Sequence, residues 1–386
     1  MKYLLSIFVF CALFPNLLLA QNGEIIIDQV ETVKAKVIEV LAEETKAIPG
    51  TDITSNFQEI KVQILEGAQK DKIVEVENDY LNLDEGEIFY LIRTTNSVDG
   101  KDYYSVSEPY RLPVVLLSVI LFIILVFVFG GIQGIRGLAS LVGSLVLILY
   151  VLLPGILHGF SPVIMSLFVS SLIIIIGSYI THGFNKTTSS AVIGMIATVF
   201  ITGFLAYIAV HFGRLTGFSD DEAVYLNLDT RGSIDFVGLL LGGMLIGLLG
   251  VLYDVAIGQA ISVEELHHVA PHLSRKTIYK RATRIGREHI GALVNTLAIA
   301  YVGVSLPLLL LYVKSVDAPL GLTLNKEIFA TEIIRTMIGS IGLVLAVPIT
   351  TLISVWILMK VNRSEVTPEK LAQEEKEIEH LGYHHH

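Results

Sequence analysis

The 386-residue chain has a single cysteine, Cys11, so it can form neither an internal disulfide nor a cysteine-based metal centre. Charge is scarce too. Asp, Glu, Lys and Arg make up 17% of the residues, against roughly 25% in an ordinary soluble domain. The deficit falls almost wholly between Leu112 and Met359, where long apolar runs follow one another. Basic excess is lacking: the net charge is -10, which argues against a nucleic-acid partner. Gly-x-Ser-x-Gly and His-Glu-x-x-His motifs are missing as well. Gly183-Phe184-Asn185-Lys186-Thr187-Thr188 lacks the first glycine and the Gly-Lys adjacency of a phosphate-binding loop. The chain is therefore expected to be neither an enzyme nor the holder of a cofactor or metal.

What is present is apolar: 53% hydrophobic residues and a mean hydropathy of +0.66. Seven runs, at about 112–129, 138–157, 162–180, 191–210, 234–260, 290–312 and 328–358, mostly hold about 20 apolar residues. At 1.5 Å per residue that length crosses roughly 30 Å of hydrocarbon. Only helices and closed barrels satisfy their backbone in lipid. The runs thus predict an α-helical membrane bundle of about seven transmembrane helices, with the lipid bilayer as its first partner. Pro307 and Pro348 fall inside the last two runs and predict bends there.

The start of the chain has a different character. Residues 1–20 combine Lys2, an apolar centre and Ala20 before polar Gln21, the layout of an export signal. Residues 21–110 carry nineteen acidic and eight basic residues, a balance of -11. Their apolar positions alternate at period two, as in Val33-Ala35-Val37, Ile60-Val62-Ile64 and Ile88 to Ile92, with Glu66-Gly67, Asp84-Glu85-Gly86 and Asp99-Gly100 as turns. About five short strands predict a small extracytoplasmic β-barrel of OB type. A bundle over 111–360 and a cytoplasmic tail over 361–386 complete the expected organisation.

Loop charge orients the bundle. Arg275, Lys276, Lys280, Arg281, Arg284 and Arg287 crowd one connection, whereas the linker 211–233 has Arg214 and Arg231 against Asp220, Asp221, Glu222 and Asp229. The positive-inside rule then places the N-terminal domain outside and the C-terminus in the cytoplasm.

Ionisable groups in membrane helices are costly and so mark candidate sites. Asp254 is the foremost. Gly243, Gly247, Gly250, Asp254, Gly258 and Glu265 follow one helical stripe, and glycines there predict a close neighbouring backbone, so that Asp254 faces protein. A proton or cation relay competes with a buried structural carboxylate. The opening of the sixth run supplies a second group: Arg284, Arg287, Glu288, Asn295 and Thr296. Glu288 and Asn295 share a face, and Arg284 is placed to pair with Glu288. Glu332 and Arg335 read as a structural pair. Glu264, Glu265, His267, His268 and His272 resemble a metal cluster only superficially, since Pro271 breaks the helix, and a solvated loop is the favoured reading.

Several strings carry a family resemblance: Asp254-Val255-Ala256-Ile257, Leu273-Ser274, Ile285-Gly286-Arg287-Glu288, Val294-Asn295-Thr296 through Gly303, and Ser305-Leu306-Pro307-Leu308-Leu309. Together with the order of an outer β domain followed by helices, they resemble the YibE/F family over nearly the whole mature chain. Glu288-His289 departs from it, standing where that family tends to carry Asp and an apolar residue. The resemblance implies a multi-pass protein of the bacterial inner (plasma) membrane but no reaction. Gly250, Asp254 and Glu265 are also similar, more faintly, to the fourth membrane helix of RND-type transporters, in which intramembrane acids couple proton flow to an outer domain.

Two functions follow as expectations. In the first, an ion-coupled secondary transporter uses Asp254, Asn295 and Thr296 for a proton or cation, with Arg284, Arg287, Glu288 and Glu265 as a cytoplasmic gate for an unknown small solute. In the second, a non-transporting scaffold or regulator binds an envelope protein, or a further copy of itself, through the outer β domain.

Overall fold

The computed structural model describes residues 29–47, 54–79, 81–97, 99–314 and 319–359. The expected export signal and cytoplasmic tail lie outside the described residues. The chain divides into two compact units, Met1–Val128 and Phe129–His386.

The first unit contains β1 (Gln29–Ala47), β2 (Thr54–Ile64), β3 (Ile73–Asn78), β4 (Ile88–Thr95) and β5 (Asp102–Pro109). They form one antiparallel sheet in the order β3-β2-β1-β4-β5. The period-two pattern sends Val33, Ala35, Val37, Ile60, Val62, Val76, Phe89 and Leu91 into a common core. The register keeps them opposite one another, as in Ala35 with Phe89 and Ile60 with Val76.

β1 is long because it serves two partners. Register shifts around Ile38 and Leu41 bend it between β4 and β2, and both bulge residues are exposed. The result is a half-barrel rather than the expected closed barrel. No ladder joins β3 to β5; side chains span that side instead. Gln69 Nε2 donates to Asp102 Oδ2 (2.7 Å), and Tyr104 OH donates to Gln69 Oε1 (2.6 Å). Hydrogen bonds from Thr95 and Gln69 hold the Asp102 carboxyl below the usual range.

The helices begin with α1 (Leu112–Leu147), which runs through a π-helical turn at Ile148–Leu152 into α2 (Leu153–Leu157). This apolar stretch of 46 residues would be about 69 Å long as a straight helix, more than twice the hydrocarbon thickness. It is interrupted at Gly131 (φ 53°, ψ -141°), a backbone conformation closed to side-chain-bearing residues. Then come α3 (Pro162–His182), α4 (Lys186–Phe212), α5 (Asp221–Asp229), α6 (Phe236–Val269), α7 (Arg275–Val304), α8 (Leu306–Lys314), α9 (Leu320–Leu324) and α10 (Glu327–Leu358). Local sequence starts several of them. Asn185, Asp220, Asp235 and Ser274 accept hydrogen bonds from Thr188, Ala223, Gly238 and Thr277 N–H groups, as N-cap residues do.

Among the described residues, five helical stretches are long and apolar enough to cross a membrane, and α7 with α8 makes a sixth. That last pair bends by 68° at Ser305-Leu306-Pro307, where Pro307 has no N–H to continue the helix. Pro348, by contrast, lies within a continuous α10.

Helix α10 sits at the centre of the second unit, against α4, α6 and α7. Small residues permit the approach. A Cβ on Gly194 would meet Thr350 Cα at 2.9 Å, and one on Gly342 would meet Thr202 Oγ1 at 2.9 Å. The main core unites Met195 and Val199 of α4, Leu248, Leu252 and Ala256 of α6, Leu297 of α7, and Leu343 and Val347 of α10.

Candidate functional site

Asp254 is the only Asp, Glu, Lys or Arg between Phe236 and Val263 on α6. The opposite side of the helix enters the core through Leu248, Leu252, Val255, Ala256 and Gln259. That choice turns the glycine stripe outward. Added Cβ atoms on Gly243, Gly250 and Gly258 would meet nothing within 4 Å, and only Gly247 is approached, by the Tyr301 hydroxyl at 2.8 Å. Asp254 itself is exposed. The expected close backbone over this stripe is therefore absent among the described residues, because the larger apolar side chains on the other face fill the core.

Asp254 instead borders a groove of about 310 Å³ between α6 and α7, floored by Val347 of α10. Val255, Gly258, Gln259 and Ser262 line it from α6; Gly286, His289, Ala292 and Leu293 line it from α7. The inner wall is fixed by Gln259, which is buried. Its Oε1 accepts from Thr351 Oγ1 (2.8 Å), and a Cβ on Gly286 would stand 2.5 Å from its Nε2. Ser262 donates its hydroxyl proton to Gly258 O (2.8 Å). The polar groups left facing the groove without a hydrogen bond among the described residues are Asp254 and His289.

Other candidate residues stand apart from this groove. Thr296 follows Ala292 one turn along α7 and donates to its carbonyl (2.9 Å), but it lies beyond the lining, as does Asn295; both are exposed. Arg284, Arg287, Glu288 and Glu265 are exposed at the basic end of the helices. Among the described residues Arg284 and Glu288 do not form the expected ion pair; both are exposed. Glu332 and Arg335 do pair (2.6 Å), and Ser305 Oγ donates to Glu332 (3.2 Å), tying α10 to the α7–α8 bend. Among the described residues no three His, Cys, Asp or Glu side chains converge as a metal site.

Two features escaped the sequence reading. One is the place of His289, named from sequence only as a departure from the family pattern, since its spacing from Asp254 along the chain says nothing of their common groove. The other is a network on the far flank of α6, where the Tyr253 hydroxyl meets Thr181 Oγ1, His182 Nδ1 (3.1 Å) and Gly177 O (3.3 Å) of α3. His182 also borders a cavity of about 300 Å³ with Asn185, Thr187, Thr188 and Glu264. The adjacency of Tyr253 to Asp254 was the available signal.

The family model of the YibE/F-like proteins matches residues 118–360, from within α1 to just past α10. No curated protein and no solved structure matches the chain.

Proposed function

The chain belongs to the YibE/F-like family, and from that premise together with the Asp254 groove we propose an ion-coupled secondary transporter or permease of the bacterial cell membrane. The observation that carries the proposal is a lone carboxylate, on a helix otherwise free of charge for nearly thirty residues, opening on a polar-edged groove. A lone charge in a membrane helix is costly, most at the bilayer centre and less toward the ends, which favours a role over an accident. Binding a proton or a cation would neutralise Asp254. The open glycine face leaves α6 free to move against a neighbour, and Gln259 couples the groove to α10.

Seven spans follow in this reading when Gly131 divides the first stretch and α7 with α8 counts once. With Phe236 at the outer face, Asp254 lies eighteen residues inward, about 27 Å along the axis. The groove then opens near the cytoplasmic surface, where Arg284, Arg287, Glu288 and Glu265 would gate it. Asn295 and Thr296 would extend the polar lining toward the membrane interior.

The test is solid-supported membrane electrophysiology on the full chain in liposomes, with jumps in pH or in NaCl. The wild type should give a transient current, and Asp254→Asn should lose it while eluting as an intact protein. An identical current from Asp254→Asn would remove the proposal.

A further inference from the structure

At the opposite end of α6 a second cavity, of about 420 Å³, lies between the C-terminus of α4 and the first turns of α6. Its apolar part comes from Val210 and Leu215 of the α4 end and from Val237 and Leu241 of α6. Its polar edge holds Tyr207, His211, Arg214 and Thr216. The Tyr207 and His211 rings stack at 5.9 Å with 12° between their planes.

The backbone at Arg214 is unusual. Helix α4 ends in a Schellman turn: Arg214 N donates to His211 O (3.2 Å) and Leu215 N to Val210 O (3.1 Å). The residue after the cap in that motif is left-handed and normally glycine, yet here it is Arg214 at φ 53°. The turn would form more readily with glycine, so the side chain is present at a conformational cost.

The rim of the cavity carries one cation, Arg214. The α4 C-terminus contributes about -0.5 of an elementary charge and the α6 N-terminus about +0.5, which offset each other. Arg214 is a full positive charge at the rim, and it forms no ion pair among the described residues. Two carboxylates of this region accept hydrogen bonds from backbone N–H groups. Asp235 accepts from Gly238 N (2.9 Å), while Glu327 accepts from Thr216 N (2.6 Å), Gly217 N (2.9 Å) and Thr216 Oγ1 (2.9 Å).

From this juxtaposition we infer that the cavity binds an anionic amphiphile. A carboxylate or phosphate head meets Arg214 and His211, and an alkyl or aryl body lies on Leu215, Val237 and Leu241. The site is separate from Asp254 and does not depend on the transport reading. Its ligand has two sources, the head of an anionic lipid or a free amphiphilic acid.

The test uses the full chain. In one arm, protein from vesicles of equal phosphatidylglycerol and phosphatidylcholine is analysed by native mass spectrometry for retained lipid. In the other, decanoate, decanol and inorganic phosphate are titrated against the thermal midpoint in a neutral detergent. Retained phosphatidylglycerol identifies the lipid source; stabilisation by decanoate, but not by decanol or phosphate, identifies the free acid. In either case Arg214→Gln should weaken binding about tenfold or more. Arg214→Gly relieves the backbone, so it should melt at or above the wild-type temperature and still lose the ligand. No retention and no stabilisation, equal binding by phosphate or decanol, or unchanged binding in Arg214→Gly would each overturn the assignment.

Discussion

The contact of α4 with α10 gives the sharpest prediction about packing. Gly194→Ala places a Cβ 2.6 Å from Thr350 Oγ1 and 2.9 Å from both Thr350 Cα and Cβ. Carbon atoms pack at about 3.5–4.0 Å, so the overlap is about 0.6–1 Å and falls on backbone. Rotating a side chain cannot relieve it; the helices must part. Overpacking costs about 1–3 kcal/mol, and an overlap on backbone falls in the upper part of that range, about 2–3 kcal/mol, while Gly to Ala gains about 0.8–1 kcal/mol of helix propensity. The net loss is about 1–2 kcal/mol, which at about 2–4 °C per kcal/mol lowers the thermal midpoint by roughly 2–8 °C. Gly250→Ala is the control, because its added Cβ meets nothing within 4 Å. It should leave the midpoint unchanged or raise it. Thermal denaturation of both variants in one detergent, followed by size-exclusion chromatography, measures the difference. The reasoning fails if Gly194→Ala melts with the wild type, or if Gly250→Ala falls as far.

In the β domain, buried Gln58 accepts from Leu83 N (2.9 Å) and Asn78 Nδ2 (3.1 Å). Gln58→Leu strands the Leu83 N–H and should destabilise the half-barrel by about 1–3 kcal/mol, seen as faster amide exchange across β2 and at Leu83; unchanged exchange refutes it. Asp102 makes stability pH-dependent. Because its folded pKa is depressed, its stabilisation is present above the unfolded value of about 3.9 and is lost as pH falls through the folded value. Exchange protection of β5 in Asp102→Asn should therefore be lower than wild type near neutrality and should converge with it in acid. Parallel curves would show that Asp102 carries no such linkage. Together with the current expected to vanish in Asp254→Asn and the ligand expected to be lost in Arg214→Gly, these outcomes probe both units.

Much of this protein is legible in local pattern. Alternation marked β1, β2 and β4, because a strand's inward and outward positions differ by one residue. Runs of about 20 apolar residues marked the long helices. Asp254 stood out for the same local reason, as a lone charge in an apolar run. What only the tertiary structure decided was which side of each element meets a neighbour. A spacing of three or four residues shows that Gly250, Asp254 and Gly258 share a face of α6, but not that the core takes the other one. In a chain destined for lipid, apolar surface suits core and membrane equally, so the pattern cannot separate them. His289 beside Asp254, Thr296 one turn beyond the groove, and Arg214 over an apolar cavity come from packing between residues distant in the chain. The half-barrel's open side has the same origin, since it depends on whether β3 and β5 meet.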